Sequence, residues 1–355
     1  MQDSLNLRVG EWVEVRSKEE ILSTLDQKGR LEALPFMPEM FAFCGRRFRV
    51  HKRAHKTCDP VNGLGARGMA NAVHLQGLRC DGSAHGGCQA GCRIYWKETW
   101  LKRVGDRTQP AGETIPQPKP SAHQGSGCTE DEILAATVAS QDRLGPQEPT
   151  YVCQATLVWD ATYPLRWWDP RHYLEDFTSG NVRLSQVISA LVFWIYHSVA
   201  EAGLGFGSAL RWAYDLFQTL RGGAPYPLRP GEVPRGQKTP TAKLNLQPGE
   251  LVRVKSYPVI LETLDEEGKN RGLYFDAEMV PFCRGTFRVL RRVERIIHEK
   301  TGKMLRFKND AIILEGVECQ ARYAKYRKFC PRGYYSYCRE IWLERVDPAQ
   351  LPQQK

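Results

Sequence analysis

The 355-residue chain is poor in the signatures that announce a reaction. It contains no P-loop string, no H-E-x-x-H, no G-x-S-x-G and no kinase signature, which removes the common phosphoryl-transfer and hydrolase chemistries. It has no tight C-x-x-C pair of the kind that makes a zinc ribbon or finger legible at once. Its longest nearly uninterrupted apolar stretch, Val187 to Tyr196 with a continuation to Ala200, falls short of the roughly 20 residues of a spanning helix, so no transmembrane segment is expected. Met1 to Leu7 lacks the basic start and apolar stretch of a secretory signal, and a reducing, cytoplasmic setting is the expectation.

Against these gaps stand eleven cysteines and a formal net charge of +10. A chain of this length predicts two or three domains with full hydrophobic cores, so stability need not depend on disulfides. In a reducing setting thiols serve more often as metal ligands, redox groups or buried small hydrophobes. The positive excess admits an anionic partner, such as nucleic acid, a phosphorylated ligand or a membrane surface.

The strongest signal is internal. Laying Gly249 over Gly10, an offset of 239 residues, aligns 10–80 with 249–319 without a gap. Gly10-Glu11, Thr24-Leu25-Asp26, Glu39-Met40, Phe43-Cys44 and Phe48-Arg49-Val50 fall on Gly249-Glu250, Thr263-Leu264-Asp265, Glu278-Met279, Phe282-Cys283 and Phe287-Arg288-Val289, and Cys80 falls on Cys319. A three-residue shift then places Cys88, Glu98, Trp100-Leu101 and Arg103-Val104 on Cys330, Glu340, Trp342-Leu343 and Arg345-Val346. Two copies are too few for a solenoid, so each is expected to be its own small domain or half of a pseudo-dimer.

Alternating valines and charges in Glu11 to Arg16 predict an opening strand. Ser17 and Glu20 form a capping box for a short helix, and Pro258 suits the first turn of its counterpart. Phe287 to Ile297, Met304 to Lys308 and Ala311 to Val317 read as further strands. Thr129 to Ala139 is a brief helical candidate, Asp169-Pro170 a helix start stopped at Gly180, and Ser185 to Ala202 and Ser208 to Arg221 two further helices, the last closed by Gly222. The expected fold is α+β: two copies of a small, mostly β module, analogous to an SH3-like barrel, flanking a central helical domain. The divisions are 1–104 for the first module, 105–148 linker, 149–222 helical domain, 223–243 linker, 244–348 second module and 349–355 tail. The apolar helix through Phe193-Trp194-Ile195-Tyr196 is expected to be the core of the helical domain, with a partner or membrane-surface contact as the minor alternative.

Tetrahedral zinc needs four thiolate or imidazole ligands. The repeat supplies Cys44, Cys80 and Cys88 in one copy and Cys283, Cys319 and Cys330 in the other. Cys58 and, one residue off the gapless register, His298 are the expected fourth ligands, with Cys92 and Cys338 competing. Gly86-Gly87 and Gly91 allow a tight chelating loop. The bland alternative is that these cysteines are inert and buried. The string Cys80-Asp81-Gly82-Ser83-Ala84-His85 resembles the iron–sulfur motif of the CDGSH family, from which it departs at Ala84. That family's paired upstream cysteines are absent, and zinc therefore ranks ahead of an iron–sulfur cluster.

Gly63-Leu64-Gly65-Ala66-Arg67-Gly68 fits G-x-G-x-x-G but aligns with the Thr301-Gly302-Lys303 turn, so it reads as a hairpin loop. The basic runs, with Arg46, Arg47, Arg49, Lys52 and Arg53 in one copy and Arg288, Arg291 and Arg292 in the other, could hold an anion, against the plainer reading of a solvated face. The leading expectation is a metal-stabilised adaptor or scaffold that binds a protein or anionic partner. The alternatives are a thiolate- or metal-dependent enzyme or enzyme accessory in a biosynthetic pathway, for which Cys88, Cys92 and His85 could supply a reactive pair, and a nucleic-acid-binding protein.

Overall fold

A computed structural model describes residues 4–59, 65–105, 127–139, 148–203, 205–324 and 326–347. Most of the expected 105–148 linker, the tail and residues 60–64, which include the first two of the glycine-rich string, lie outside the described residues. The chain divides into two compact units, one of Met1–Cys88, Arg93–Asn181 and Ile297–Met304, the other of Gln89–Cys92, Val182–Ile296 and Leu305–Lys355. Both mix helix with antiparallel sheet, an α+β architecture. Residues of the segment expected to form a central helical domain fall in both units.

The first unit is built on strands β1 (Trp12–Val15), β2 (Arg47–Arg53), β3 (Ala72–Leu75), β4 (Trp96–Lys97) and β5 (Leu101–Arg103), ordered β4-β3-β2-β1-β5. The second has β6 (Leu251–Val254), β7 (Thr286–Arg292), β8 (Ile312–Glu318), β9 (Tyr335–Cys338) and β10 (Leu343–Arg345), ordered β9-β8-β7-β6-β10. Val13 pairs with Phe48 and Val252 with Phe287; Val15 pairs with Leu101 and Val254 with Leu343. Each second strand carries an irregularity at the same place, between Val50 and Lys52 and between Val289 and Arg291.

Residues shared by the two halves of the sequence have matching jobs. The buried indole of Trp100 donates to Thr24 Oγ1 at 3.2 Å, and that of Trp342 to Thr263 Oγ1 at 3.0 Å. Phe36 meets Trp100 edge-on at 5.3 Å, and Phe275 meets Trp342 at 5.1 Å. The Glu98 carboxylate accepts the backbone N–H groups of Asn6 and Leu7 and pairs with Arg53 at 2.9 Å. Glu340 does the same with Leu244, Asn245 and Leu246 and pairs with Arg292. Burial alone would raise the Glu340 carboxyl, but these N–H donors and the guanidinium hold it below its ordinary range. The entry segment of each unit is thereby tied to the 3-10 turn that leads into the last strand of its sheet.

Helix α1 (Lys18–Leu22) begins with the expected capping box: Glu20 N–H donates to Ser17 Oγ at 3.3 Å, and Ser17 N–H to the Glu20 carboxylate at 2.9 Å. Asp169 caps α2 (Pro170–Thr178) by accepting Arg171 N–H at 3.0 Å, with Pro170 at the first helical position. In the second unit α3 (Leu184–Ala200) and α4 (Gly207–Arg221) precede α5 (Tyr257–Leu261), and Gly222 caps α4 at φ 66°. One side of α3, at Ala190, Phe193 and Ala200, is buried, and Phe193 packs on Tyr214, Tyr226 and Tyr323. The rest of α3 does not form the expected core: Leu184, Ile188, Leu191, Val192, Ile195 and Val199 are each half or more exposed. Phe217 and Leu220 of α4 are exposed as well.

Candidate metal centre

Three buried or half-buried side chains of different chemistry meet in the first unit. Glu39 lies in the 3-10 turn Pro38–Phe43, opened by Pro38. Cys80 and His85 come from the loop after β3, which doubles back at Gly82: its φ is +75°, and a Cβ there would meet the Cys88 carbonyl oxygen at 2.0 Å. The turn is closed by His85 N–H and Gly87 N–H, both donating to the Gly82 carbonyl at 3.0 Å. Glu39 Oε1 stands 2.6 Å from His85 Nδ1 and 3.7 Å from Cys80 Sγ. The other imidazole nitrogen, Nε2, lies 3.0 Å from the Val152 carbonyl oxygen, which can only accept. The side chains of Glu39 and His85 are 3% and 2% exposed, and Glu39 Oε2 has no hydrogen-bond partner.

The ligand atoms of Glu39, Cys80 and His85 all lie within 4.8 Å of one another, and no other group of three or more His, Cys, Asp or Glu does so among the described residues. No three of the expected ligands Cys44, Cys58, Cys80, Cys88, Cys92, Cys283, His298, Cys319, Cys330 and Cys338 therefore come together within that distance. The elements explain the scatter. Cys44 ends the 3-10 turn, and Cys58 is buried on the strand Lys56–Cys58, which belongs to a separate three-stranded sheet. Cys88 Sγ accepts Ile297 N–H at 3.4 Å, and Cys92 is half-buried. In the second unit Cys283 ends the matching 3-10 turn, Cys338 sits in the hydrophobic core and Cys330 is buried. His298 Nδ1 is bonded to Thr301 Oγ1 at 2.9 Å inside its own turn.

The chain matches no protein-family model and none of the curated proteins compared with it.

Burial pushes the Cys153 thiol up to about 11 and those of Cys283, Cys319 and Cys338 up to about 12, and it raises Cys44 and Cys128 too. A nucleophilic thiol needs the opposite shift.

The basic runs are largely committed within the fold. Arg53 is held between Glu98 and Glu175, Arg47 pairs with Glu14 at 3.0 Å, and Arg292 pairs with Glu340. Arg46 lies over the rings of Phe43 and Phe48, Arg49 over Trp12, and Arg288 donates to the Gly249 carbonyl. Lys52 and Arg291 are half-buried, opposite His74 and Ile313 in the sheets.

Sequence reasoning missed Glu39 as a candidate ligand. Its signal was present: a carboxylate repeated at Glu278 in an otherwise apolar setting, beside Met40 and Met279. A second buried polar cluster was also invisible. The Lys56 ammonium pairs with Asp176 and lies 3.2 Å from His172 Nδ1, while His55 Nε2 is 3.1 Å from the His172 carbonyl oxygen. Desolvation first, then the Lys56 charge, lowers His55 to about 3 and His172 to about 4; burial raises Asp176 to about 6 against the pull of Lys56.

Proposed function

We propose that the chain is a non-catalytic adaptor: two copies of one α+β module, stabilised by a bound metal, that present the apolar face of α3 and α4 to a protein partner in a reducing compartment. The exposure of that face carries the reading. Leu184, Ile188, Leu191, Val192, Ile195 and Val199 form a stripe about 100° wide along α3. Trp212, Leu216 and Leu220 form a second on α4, both outward in a helix pair whose inner side is already packed. Each large aliphatic side chain left half in water forgoes roughly 1 kcal/mol of burial, which a docked partner would recover. The internal commitment of Arg53 and Arg292 weakens the nucleic-acid alternative.

A photo-reactive amino acid placed at Val192 tests the reading in cells. The expected result is a covalent adduct with a second protein, lost when Ile188→Asp and Ile195→Asp are introduced together. Adducts formed equally well by the double variant, or none at all, would remove the adaptor reading.

A further inference from the structure

We infer that the first unit holds one zinc ion through Glu39, Cys80 and His85, and that the second unit holds none. This deepens the metal-stabilised part of the proposed function and is independent of the apolar face. The first argument is the direction of the lone pairs. Because the Val152 carbonyl can only accept, His85 Nε2 carries the hydrogen it donates across 3.0 Å. Nδ1, the nitrogen left over, faces Glu39 Oε1, itself an electron-rich atom, 2.6 Å away. Two such atoms at that distance require a positive charge between them, either a proton or a metal ion. Cys80 Sγ, 3.7 Å from the same oxygen, adds a third donor on that side.

Zinc takes nitrogen at about 2.0 Å, carboxylate oxygen at about 2.0–2.2 Å and thiolate at about 2.3 Å, so tetrahedral ligand atoms stand roughly 3.3–3.8 Å apart. The sulfur–oxygen separation already lies in that range, and the nitrogen–oxygen separation has to open by less than about 1 Å. An imidazole whose far nitrogen donates to a backbone carbonyl is oriented as metal-bound histidines are. Glu39 Oε2, buried and without a partner, offers a second carboxylate oxygen to the same ion or to a water on it. A mixed thiolate, imidazole and carboxylate set suits zinc better than calcium or magnesium, which prefer oxygen alone.

The second argument is the contrast between the units. Cys319 and Glu278 occupy the places of Cys80 and Glu39. There the carboxylate accepts backbone N–H groups from Arg322 at 2.9 Å and Tyr323 at 2.6 Å, and the residues after Cys319, Gln320 to Ala324, contain no histidine. Peptide dipoles do for Glu278 what His85 and a cation do for Glu39, and among the described residues no third His, Cys, Asp or Glu completes a ligand group there.

Elemental analysis of the full chain, purified without a metal-binding tag, should find one zinc per chain and no visible colour. Cys80→Ser, His85→Gln and Glu39→Gln should each lose the ion, and Cys319→Ser should keep it. Should Cys80→Ser fail to fold, cobalt(II) titrated into the chelator-treated wild-type chain gives the same answer: it should bind at one equivalent with a sulfur-to-cobalt charge-transfer band that His85→Gln weakens or abolishes. Two zinc ions per chain, retention in His85→Gln, loss in Cys319→Ser, a brown iron chromophore, or no bound metal with no cobalt spectrum would each overturn the inference. The Val192 cross-link reports on the adaptor reading separately, whichever way the metal result falls.

Discussion

At the scale of single residues, the buried group around Lys56 makes the first unit sensitive to acid. An imidazole in the unfolded chain titrates near 6.5, whereas His55 in the fold titrates at about 3. Between those values the unfolded chain binds more protons, so the contribution of neutral His55 is complete above about pH 6.5 and is lost as the pH falls. His172, lowered to about 4, acts in the same direction; Asp176, raised to about 6, acts in the opposite direction below that pH. The net expectation is a loss of about 2 kcal/mol between about pH 7 and about pH 5. Denaturant titrations at the two values measure it directly, and His55→Asn, which cannot titrate, should flatten the dependence. None of this was legible in the sequence, because Lys56 and Asp176 are far apart in the chain and neither stands in a recognisable motif. What was legible were the residues that recur: Thr24 with Trp100 and Glu98 with Arg53 each have a counterpart pair doing the same work. Glu98 shows the cost of leaving such a carboxylate alone. Arg53→Ala would leave it, at 2% side-chain exposure, with hydrogen-bond donors but no opposite charge, an expected loss of roughly 3 kcal/mol in the same titration.

At the scale of elements, one mismatch between the two sequence copies becomes a prediction. The turn entering the second strand of each sheet needs a left-handed residue: Gly45 has φ 71°, and its N–H donates to the Val15 carbonyl. At the equivalent place Arg284 has φ 66° and makes the same bond to Val254. A side chain there costs about 1 kcal/mol relative to glycine, partly offset by the entropy glycine brings to the unfolded chain. Arg284→Gly should therefore raise the stability of the second unit by up to about 1 kcal/mol in thermal or denaturant unfolding, and a decrease would mean that the guanidinium makes a compensating contact. Strands and caps were readable because their signals are local, as in Val13 and Val15 alternating with charges or Ser17 reaching Glu20. The helix α3 was harder for a physical reason. A helix apolar on all sides has the same periodicity whether both faces meet protein or one meets solvent, so Phe193 and Ile195 looked alike although one is packed and the other exposed. The metal ligands failed differently: repeated spacing located Cys80 and Cys319, but a ligand set is decided by which loops approach in space, and Glu39 approaches where Cys44 does not.

At the scale of the whole molecule, the two most general properties pull against each other. A net charge of +10 keeps copies of the chain apart, while the outward stripes of α3 and α4 favour any contact that covers them. Repulsion between charged molecules is screened within about 10 Å at 0.1 M salt and within about 3 Å at 1 M, whereas apolar association is not weakened by salt in this way. Without a partner, the protein should be more dispersed in dilute buffer and associate increasingly as sodium chloride is raised, the reverse of a complex held by its basic strands. Light scattering across a salt series measures this, and Ile188→Asp with Leu220→Asp should abolish the rise while leaving the unfolding transition in place, because neither side chain is packed in the fold. Association that falls with salt would instead place the sticky surface on the charged strands around Arg47 and Arg49. In that case the helices would have to owe their exposure to something other than a docking role.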